Sequence, residues 1–213
     1  MSGDRSGLQN VGRGALIVVE GPHQSGKSTQ ARRLVRRFST IGFTATLTKE
    51  PFSHEMSSLI RGEANGIDDY SRYALLFALL LDRCIHLRFI GSRIRESEIV
   101  VCDRYTPSTM VYQRMHGFDL DFLKSLTQFA PEPCLYLFLH TTLEERLKRA
   151  RSDPRWNSSP FMSPHEFELE QRYYDDACQQ LAKDANVHVI EGDRPEEEVE
   201  DEIWTVAQEF VQE

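Results

Sequence analysis

The chain has 213 residues, of which 40% are hydrophobic and 27% are charged, which is typical of one globular domain and excludes a wholly disordered chain. Its 25 basic and 33 acidic residues give a formal net charge of −8. Proteins that bind nucleic acid usually have a basic surface, so this charge argues against a nucleic-acid partner. No apolar run reaches the roughly 20 residues that a membrane span requires, and no secretory signal is visible. The cysteines have no zinc-site spacing, so we expect reduced thiols in the cytoplasm for Cys84, Cys102, Cys134 and Cys178.

Apolar runs and turn residues predict a chain that alternates strands with helices. Residues 1–13 are expected to form a flexible tail before a single domain at residues 14–213. Strands are predicted at residues 15–19, 44–48, 99–102, 134–139 and 187–190. Helices are predicted at residues 27–40, 70–98, 123–129, from Thr141 or Thr142 onward, at 164–185 and from residue 195. This alternation predicts an α/β domain of three layers, with a mainly parallel sheet flanked by helices.

The turn after the first predicted strand carries a phosphate-binding motif. Residues 21–28 read GPHQSGKS, which fits G-x-x-x-x-G-K-[ST] between a strand and a helix. Glycines let backbone N–H groups face inward at the positive helix end, and the lysine and serine can reach phosphates and Mg²⁺. An ordinary glycine turn is the alternative that the complete motif disfavours. A P-loop NTPase domain is predicted, with the nucleotide bound by Gly21, Gln24, Ser25, Gly26, Lys27, Ser28 and Thr29.

A second pair of charged residues follows the strand predicted at residues 99–102. Asp103 and Arg104 stand at its carboxyl end, the edge where open α/β sheets bind ligands. Asp103 could hold Mg²⁺ or orient the attacking group, and Arg104 could clamp a phosphate. A solvated Asp–Arg pair at a strand end is the alternative that these residues alone leave open.

From about residue 15 to the C-terminus the chain resembles the thymidylate kinase family. Besides the P-loop, Lys49-Glu50-Pro51 is similar to the R-E-P of the family, and Leu81-Asp82-Arg83 to the end of its L-F-A-A-D-R. The most specific match is residues 103–113, which resemble D-R-Y-x-x-S-x-x-x-Y-Q, and residues 133–139 take the place of P-D-x-x-x-x-L.

The resemblance implies transfer of the γ-phosphoryl group of ATP to a deoxynucleoside monophosphate in the presence of Mg²⁺, with dTMP as the favoured acceptor. It implies that Lys27 holds the donor, that Ser28 and Asp103 hold the metal, and that Arg104 holds the acceptor phosphate. Arg83 and Gln113 would read the base, and Tyr105 would lie against the sugar. The full acceptor set implied is His23, Glu50, Pro51, Phe52, Arg61, Leu79, Arg83, Arg104, Tyr105, Ser108, Gln113 and Tyr174. A homodimer built on the long helical region is implied as well.

Basic residues crowd into the segment that leads to a proline-rich loop, and we expect a lid at about residues 150–163. In the bacterial branch of the family a lid arginine acts on the transferred phosphoryl group. The resemblance therefore implies Arg151 and Arg155 as catalytic residues and Arg146 as an ATP-binding residue. Lys148 and Arg149 are interpreted instead as i,i+4 partners of glutamates on a solvated helix face.

Three departures from the family pattern leave the base preference open. The third P-loop position is His23, where the family usually has an Asp or Glu that contacts the sugar 3′-hydroxyl. Leu79 stands where the family has the phenylalanine that stacks on thymine, and the late aromatic residue is Tyr173 or Tyr174. Two alternatives remain: a nucleotide or deoxynucleoside kinase of different base preference, with Glu50 as a base, and a weakly active nucleotide-binding regulatory protein.

Overall fold

Five parallel strands form the sheet at the centre of the fold, in the order β2-β3-β1-β4-β5. The computed structural model describes residues 14–62, 69–153 and 163–212, with side chains omitted at 59–62, 69–70 and 211–212. The strands are β1 (Ala15–Glu20), β2 (Ala45–Lys49), β3 (Ile99–Asp103), β4 (Leu135–His140) and β5 (Val187–Glu191). Because all are parallel, their carboxyl ends meet at one edge, where the chain passes into helices.

Helices cover both faces of this sheet. β1 is apolar throughout because alternate residues of a central strand face opposite layers. Its Ile17 and Val19 pack in one core with α1 and α8, while Leu16 and Val18 pack in the other with α3, α4 and α7. The helices are α1 (Lys27–Thr40), α2 (His54–Gly62), α3 (Asp69–Arg95), α4 (Thr106–Met115), α5 (Leu120–Thr127), α6 (Leu143–Ser152), α7 (Pro164–Leu181) and α8 (Glu196–Gln212).

The predicted three-layer α/β fold is confirmed, and the strand positions differ from the prediction by one residue at most ends. Two helices, α2 and α4, were missed. Helix α4 begins Thr106-Pro107-Ser108-Thr109, a run of poor helix formers, yet proline is tolerated in the first turn, where its missing N–H is not needed. The helix predicted to reach residue 185 ends at Leu181. Within the described ranges, no helix combines the length and apolarity needed to cross a bilayer.

Candidate active site

The P-loop closes tightly between β1 and α1. Gly21 and Gly26 have φ of 146° and 94°, in the region that favours glycine. A Cβ at Gly21 would lie 2.7 Å from the carbonyl oxygen of Leu139, so no side chain fits there. The first turn of α1 has no acidic residue, which leaves its positive end available to an anion. This geometry matches that of a phosphate cradle.

Lys27 lies beneath the loop and is almost fully buried. Its Nζ donates a hydrogen bond to the carbonyl oxygen of Pro22, 2.8 Å away. Burial, and next the positive charge of Arg104, lower the pKa of Lys27 to about 7. A polyanion bound in the loop would oppose both effects, so this lysine is suited to a phosphate.

Ser28 and Asp103 meet at the same edge, and the Ser28 hydroxyl donates a short hydrogen bond to Oδ2 of Asp103. Within the described residues, the buried Oδ1 of Asp103 and the buried Oγ of Ser25 have no hydrogen-bond partner. Carboxylate and hydroxyl oxygens are the hard donors that Mg²⁺ prefers. The residues present therefore fit a magnesium ion.

Arg104 is held by hydroxyl groups rather than by a carboxylate. Its Nη1 donates to the hydroxyls of Tyr112 and Tyr174, each 2.8 Å away, and to that of Ser108 at 3.2 Å. Its own backbone has φ of 75°, the left-handed conformation that costs energy for a residue with a side chain. The structure thus brings Tyr174 to the site, whereas Tyr173 lies under the guanidinium of Arg114.

Glu20, which the sequence analysis did not identify, accepts hydrogen bonds from residues that surround this arginine. Its buried carboxylate accepts hydrogen bonds from the backbone N–H of Tyr105 at 2.6 Å and from the hydroxyls of Ser108 and Tyr174 at 2.9 and 3.3 Å. Burial raises the pKa of Glu20 despite these bonds and the nearby Arg104. Its signal in the sequence was a carboxylate at the end of an otherwise apolar strand, directly before the loop.

Arg83 and Glu50 form a buried ion pair on the β2 side of the site. The Nε of Arg83 lies 3.0 and 3.1 Å from the two carboxylate oxygens of Glu50. The ring of His86 contacts the same carboxylate at 3.2 Å. Although burial acts to raise it, the charge of Arg83 and the hydrogen bond from His86 bring the pKa of Glu50 below its ordinary value. The carboxylate is therefore ionised, and its oxygens already have hydrogen-bond partners.

One nitrogen of the Arg83 guanidinium is left without a hydrogen-bond partner among the described residues. Its Nη2 donates to the Thr109 hydroxyl at 2.7 Å and to the Tyr105 carbonyl at 3.2 Å. Its Nη1 is buried and has no hydrogen-bond partner among the described residues, and the same holds for Oε1 of Gln113. Thr109, which Arg83 contacts, and Gln113 stand one turn apart on α4, so the unpaired donor and the unpaired acceptor belong to the same side of the site.

The remaining residues expected around the acceptor occupy distinct surroundings. Phe52 stacks on His86 with ring centroids 4.6 Å apart, and its N–H donates to Asp82, 2.6 Å away. Tyr105 is fully buried, and its hydroxyl donates to the carbonyl of Pro131 at 3.0 Å. Pro51 and Leu79 are half-buried, and the Arg61 side chain lies outside the described residues.

Arg146 is placed differently from its expected contact with ATP. It is fully buried, and its Nε donates to the carbonyl of His23 at 2.8 Å. Its other nitrogens bond Gln171 at 2.9 Å and form a short ion pair with Glu170. The guanidinium therefore links the backbone of the P-loop to side chains of α7. Glu170 was also missed, although Phe167, Glu170 and Tyr174 share the buried face of α7.

The lid falls largely outside the described residues, which exclude 154–162 and hence Arg155. Arg151 is exposed in the last turn of α6. The interpretation of Arg149 as a solvated residue was incomplete: it pairs with Glu145 at 3.0 Å but also donates to the carbonyls of Gln24 and Gly192, at 3.3 and 2.8 Å. Arg149 thus connects the P-loop to the residue that follows β5.

Comparison with known proteins agrees with this geometry. The family model described as thymidylate kinase matches residues 19–203. A protein of Pyrococcus horikoshii named probable thymidylate kinase is 40% identical over 147 residues, which cover 65% of this chain and 71% of that protein. Proteins of the same name from Pyrococcus abyssi and Methanocaldococcus jannaschii are 38% and 29% identical, over 70% and 88% of this chain and 75% and 93% of theirs. The chain therefore belongs to the thymidylate kinase family.

Proposed function

We propose that this protein transfers the γ-phosphoryl group of Mg-ATP to the 5′-phosphate of dTMP, forming dTDP and ADP. Two features support the proposal together. A phosphate cradle built around Lys27 lies beside Arg104, whose guanidinium is oriented by neutral hydroxyls and so keeps its charge for an anion. The family relatives carry the name of this activity.

The chain's own groups would act by positioning and by neutralising charge. The loop amides and Lys27 hold the donor phosphates, and Arg104 holds the acceptor phosphate in line with them. Ser28 and Asp103 would hold Mg²⁺, which when bound offsets phosphate charge. Burial of Lys27 and Arg104 strengthens their attraction to the phosphates, because water screens them less.

The observation that carries the choice of base is the unpaired polar pair on α3 and α4. Arg83 offers a buried donor at Nη1, and Gln113 offers a buried acceptor at Oε1. Thymine presents a carbonyl and an N–H side by side, which complement that pair, whereas cytosine and adenine present an amino group and a ring acceptor. Leu79 replaces a stacking ring by an aliphatic contact, which we expect to weaken base binding by about 1 kcal/mol.

Phosphorylation of a free nucleoside is disfavoured by the state of Glu50. A nucleoside kinase needs a base that removes the proton of the 5′-hydroxyl. Glu50 is instead paired with Arg83 and His86, which lower the pKa of its carboxylate. A carboxylate so stabilised in its ionised form is a weak base.

A coupled assay of ADP release with Mg-ATP tests the proposal across dTMP, dUMP, dGMP, dCMP and thymidine. We expect the highest kcat/KM with dTMP, and the lowest values with dCMP and thymidine. Activity with thymidine alone would make the protein a nucleoside kinase. Nucleotide binding without turnover of any acceptor would make it a regulatory relative.

We also propose that two copies associate through α3. Four apolar side chains at four-residue intervals on this helix are 41–64% exposed, namely Tyr73, Phe77, Leu81 and Ile85. A contiguous apolar stripe of this kind is typical of a protein interface. Leu81→Asp should give a monomer by light scattering, whereas Lys148→Asp at an exposed position on α6 should not.

The cytoplasm is the compartment that we propose. All four cysteines lie in the described part of the chain, and all four are free thiols. Free thiols persist in a reducing compartment. Fractionation of cells that express the tagged protein tests this assignment.

A further inference from the structure

Glu20, the last residue of β1, is a fully buried carboxylate that no step of the proposed reaction uses. One of its oxygens accepts hydrogen bonds from the backbone N–H groups of Tyr105 at 2.6 Å and Ser108 at 3.2 Å. The other oxygen accepts from the hydroxyls of Ser108 at 2.9 Å and Tyr174 at 3.3 Å. Four hydrogen bonds from three neighbours of Arg104 thus reach this one carboxylate.

The backbone of Arg104 is held in place from the end of β1. With φ of 75°, Arg104 has the left-handed conformation, which costs energy for a residue with a side chain. Its own N–H donates to the carbonyl oxygen of Val19 at 3.0 Å, and the N–H of the next residue, Tyr105, donates to Glu20. Two consecutive residues of β1 therefore fix the peptide groups on both sides of the strained residue.

The hydroxyl groups beside Arg104 are oriented by the chemistry of the guanidinium. An arginine N–H can only donate, so the hydroxyls of Ser108 and Tyr174 must turn a lone pair toward Nη1. Their protons then need other acceptors. Ser108 donates its proton to Glu20, and Tyr174 can donate to Oγ of Ser108, 2.8 Å away, or to Glu20 directly. Glu20 is therefore the acceptor at which this chain of hydroxyl protons ends.

These contacts favour the ionised form of Glu20. Burial raises the pKa of its carboxyl group, whereas the charge of Arg104 and the hydrogen bonds from Tyr105 and Ser108 act in the opposite direction. A proton on Glu20 would itself need an acceptor. Backbone N–H groups only donate, and the hydroxyl oxygens of Ser108 and Tyr174 already accept from Arg104. The four donors therefore require a carboxylate that accepts at both oxygens.

The hydroxyls engage only one end of the guanidinium of Arg104. All hydrogen bonds from this side chain to described residues come from Nη1, so Nε and Nη2 have no partner among those residues. Nε and Nη2 lie on one edge of a guanidinium, the edge that binds a phosphate with two parallel hydrogen bonds. The contacts at Nη1 therefore determine where this edge points.

We propose that Glu20 is a positioning residue that orients Arg104 for the acceptor phosphate through the hydroxyls of Ser108 and Tyr174. This inference rests on the proposed function, in which Arg104 holds that phosphate. Glu20 acts by fixing the direction of the hydroxyl protons and one peptide group beside Arg104. Its loss should therefore weaken the binding of the phosphate group and spare the rest of the nucleotide.

Glu20→Gln tests the proposal because it keeps the shape of the side chain and replaces one acceptor oxygen by an NH₂ donor. When the amide oxygen accepts from the backbone, the NH₂ group faces the hydroxyls of Ser108 and Tyr174, and their protons must turn toward Arg104. We expect the Kd of dTMP, measured by calorimetry, to rise about tenfold. The Kd of thymidine, which lacks the phosphate, should change less than about twofold.

Glu98→Gln is the matched control. Glu98 is also a buried glutamate, but it precedes β3 at the opposite edge of the sheet and contacts Thr46 and Arg93. Both dissociation constants should stay within about twofold of the wild-type values in this variant. An equal loss of affinity for dTMP and thymidine in Glu20→Gln, or no loss for either, would overturn the proposal.

A double variant tests whether the effect passes through Arg104. In an Arg104→Met background, Glu20→Gln should change the Kd of dTMP less than about twofold, because the residue through which Glu20 acts is absent. A full tenfold loss in that background would overturn the proposal. Should Glu20→Gln not fold, Ser108→Ala and Tyr174→Phe each remove one hydroxyl and keep the carboxylate. At least one of them should raise the Kd of dTMP about threefold or more without changing that of thymidine, and no effect in both would overturn the proposal.

The same measurements separate this inference from the proposed function. If the wild-type protein binds dTMP no more tightly than thymidine, Arg104 holds no phosphate, and the proposed function fails. If the wild-type protein prefers dTMP and Glu20→Gln keeps that preference in full, the role of Glu20 alone fails.

Discussion

The two ends of the site differ in whether their charged side chains are paired with each other. At the phosphate end, formed by Lys27, Ser28, Asp103 and Arg104, positive groups lie close together, and burial and Arg104 lower the pKa of Lys27 to about 7. At the base end, formed by Glu50, Arg83, His86 and Gln113, the guanidinium and the carboxylate pair with each other. The positive charge of the phosphate end is therefore balanced only when a phosphate binds, whereas the charges of the base end balance each other without a ligand.

The largest expected effect comes from removing charge at the phosphate end. Lys27→Met should lower kcat/KM for dTMP by about 10³-fold, because a donor to the developing phosphate charge is lost. The same variant should melt no lower than the wild-type protein, because a buried ammonium with a depressed pKa opposes folding. Steady-state kinetics and thermal unfolding measure the two effects. Lys148→Met, at a largely exposed lysine on α6, is the control.

A marked loss of stability in Lys27→Met would show that the bond from Nζ to the Pro22 carbonyl matters more than the cost of burying the charge. The contrast between the two ends would then disappear.

Removing charge at the base end should act on folding. Arg83→Met removes the cationic partner of the buried Glu50 carboxylate and leaves it the contact with His86, and we expect the free energy of unfolding to fall by about 3 kcal/mol. Urea unfolding measures this loss. The double variant Arg83→Met, Glu50→Gln should recover part of it, because no unpaired charge remains. Equal loss in both variants would indicate that packing rather than charge stabilises the pair.

The same contrast explains how much of the site could be predicted from the sequence. The P-loop and the Asp103–Arg104 pair are local patterns, since the chemistry resides in adjacent residues after an apolar strand, and the structure brings them together as expected. The base end depends on contacts between distant parts of the chain. The family pattern implies Glu50 and Arg83 separately, but their mutual ion pair depends on the packing of α3 beside the end of β2.

Arg146 and Glu170 show where prediction from sequence fails. A string of basic residues on an amphipathic helix indicates solvent or ligand, and nothing local distinguishes the arginine that turns inward. Arg146 is buried because a glutamate on another helix neutralises it, and that partner carried no motif. Such pairs become visible only when the helices α6 and α7 are packed together.

Protonation of Glu170 should lower the free energy of unfolding at acidic pH. Its pKa is about 2 in the folded protein, below the ordinary value of 4.5, so its contribution is present above pH 4.5 and is lost as the pH falls toward 2. We expect unfolding free energy to decline over this range by about 2 kcal/mol more than in Glu170→Gln. Urea titrations at pH 5, 4 and 3 measure the difference. Parallel curves for the two proteins would show that protonation of other carboxylates dominates.

The smallest effect is a proton taken up when ATP binds. Free Lys27 has a pKa of about 7, and phosphate raises it, so binding at pH 8 should consume close to one proton. If the charged lysine alone binds, affinity for Mg-ATP falls about fivefold between pH 7 and pH 8. Calorimetry in two buffers of different ionisation enthalpy measures the uptake. Lys27→Arg, whose guanidinium does not titrate in this range, should bind without it, and uptake that persists in this variant would assign the proton to another group.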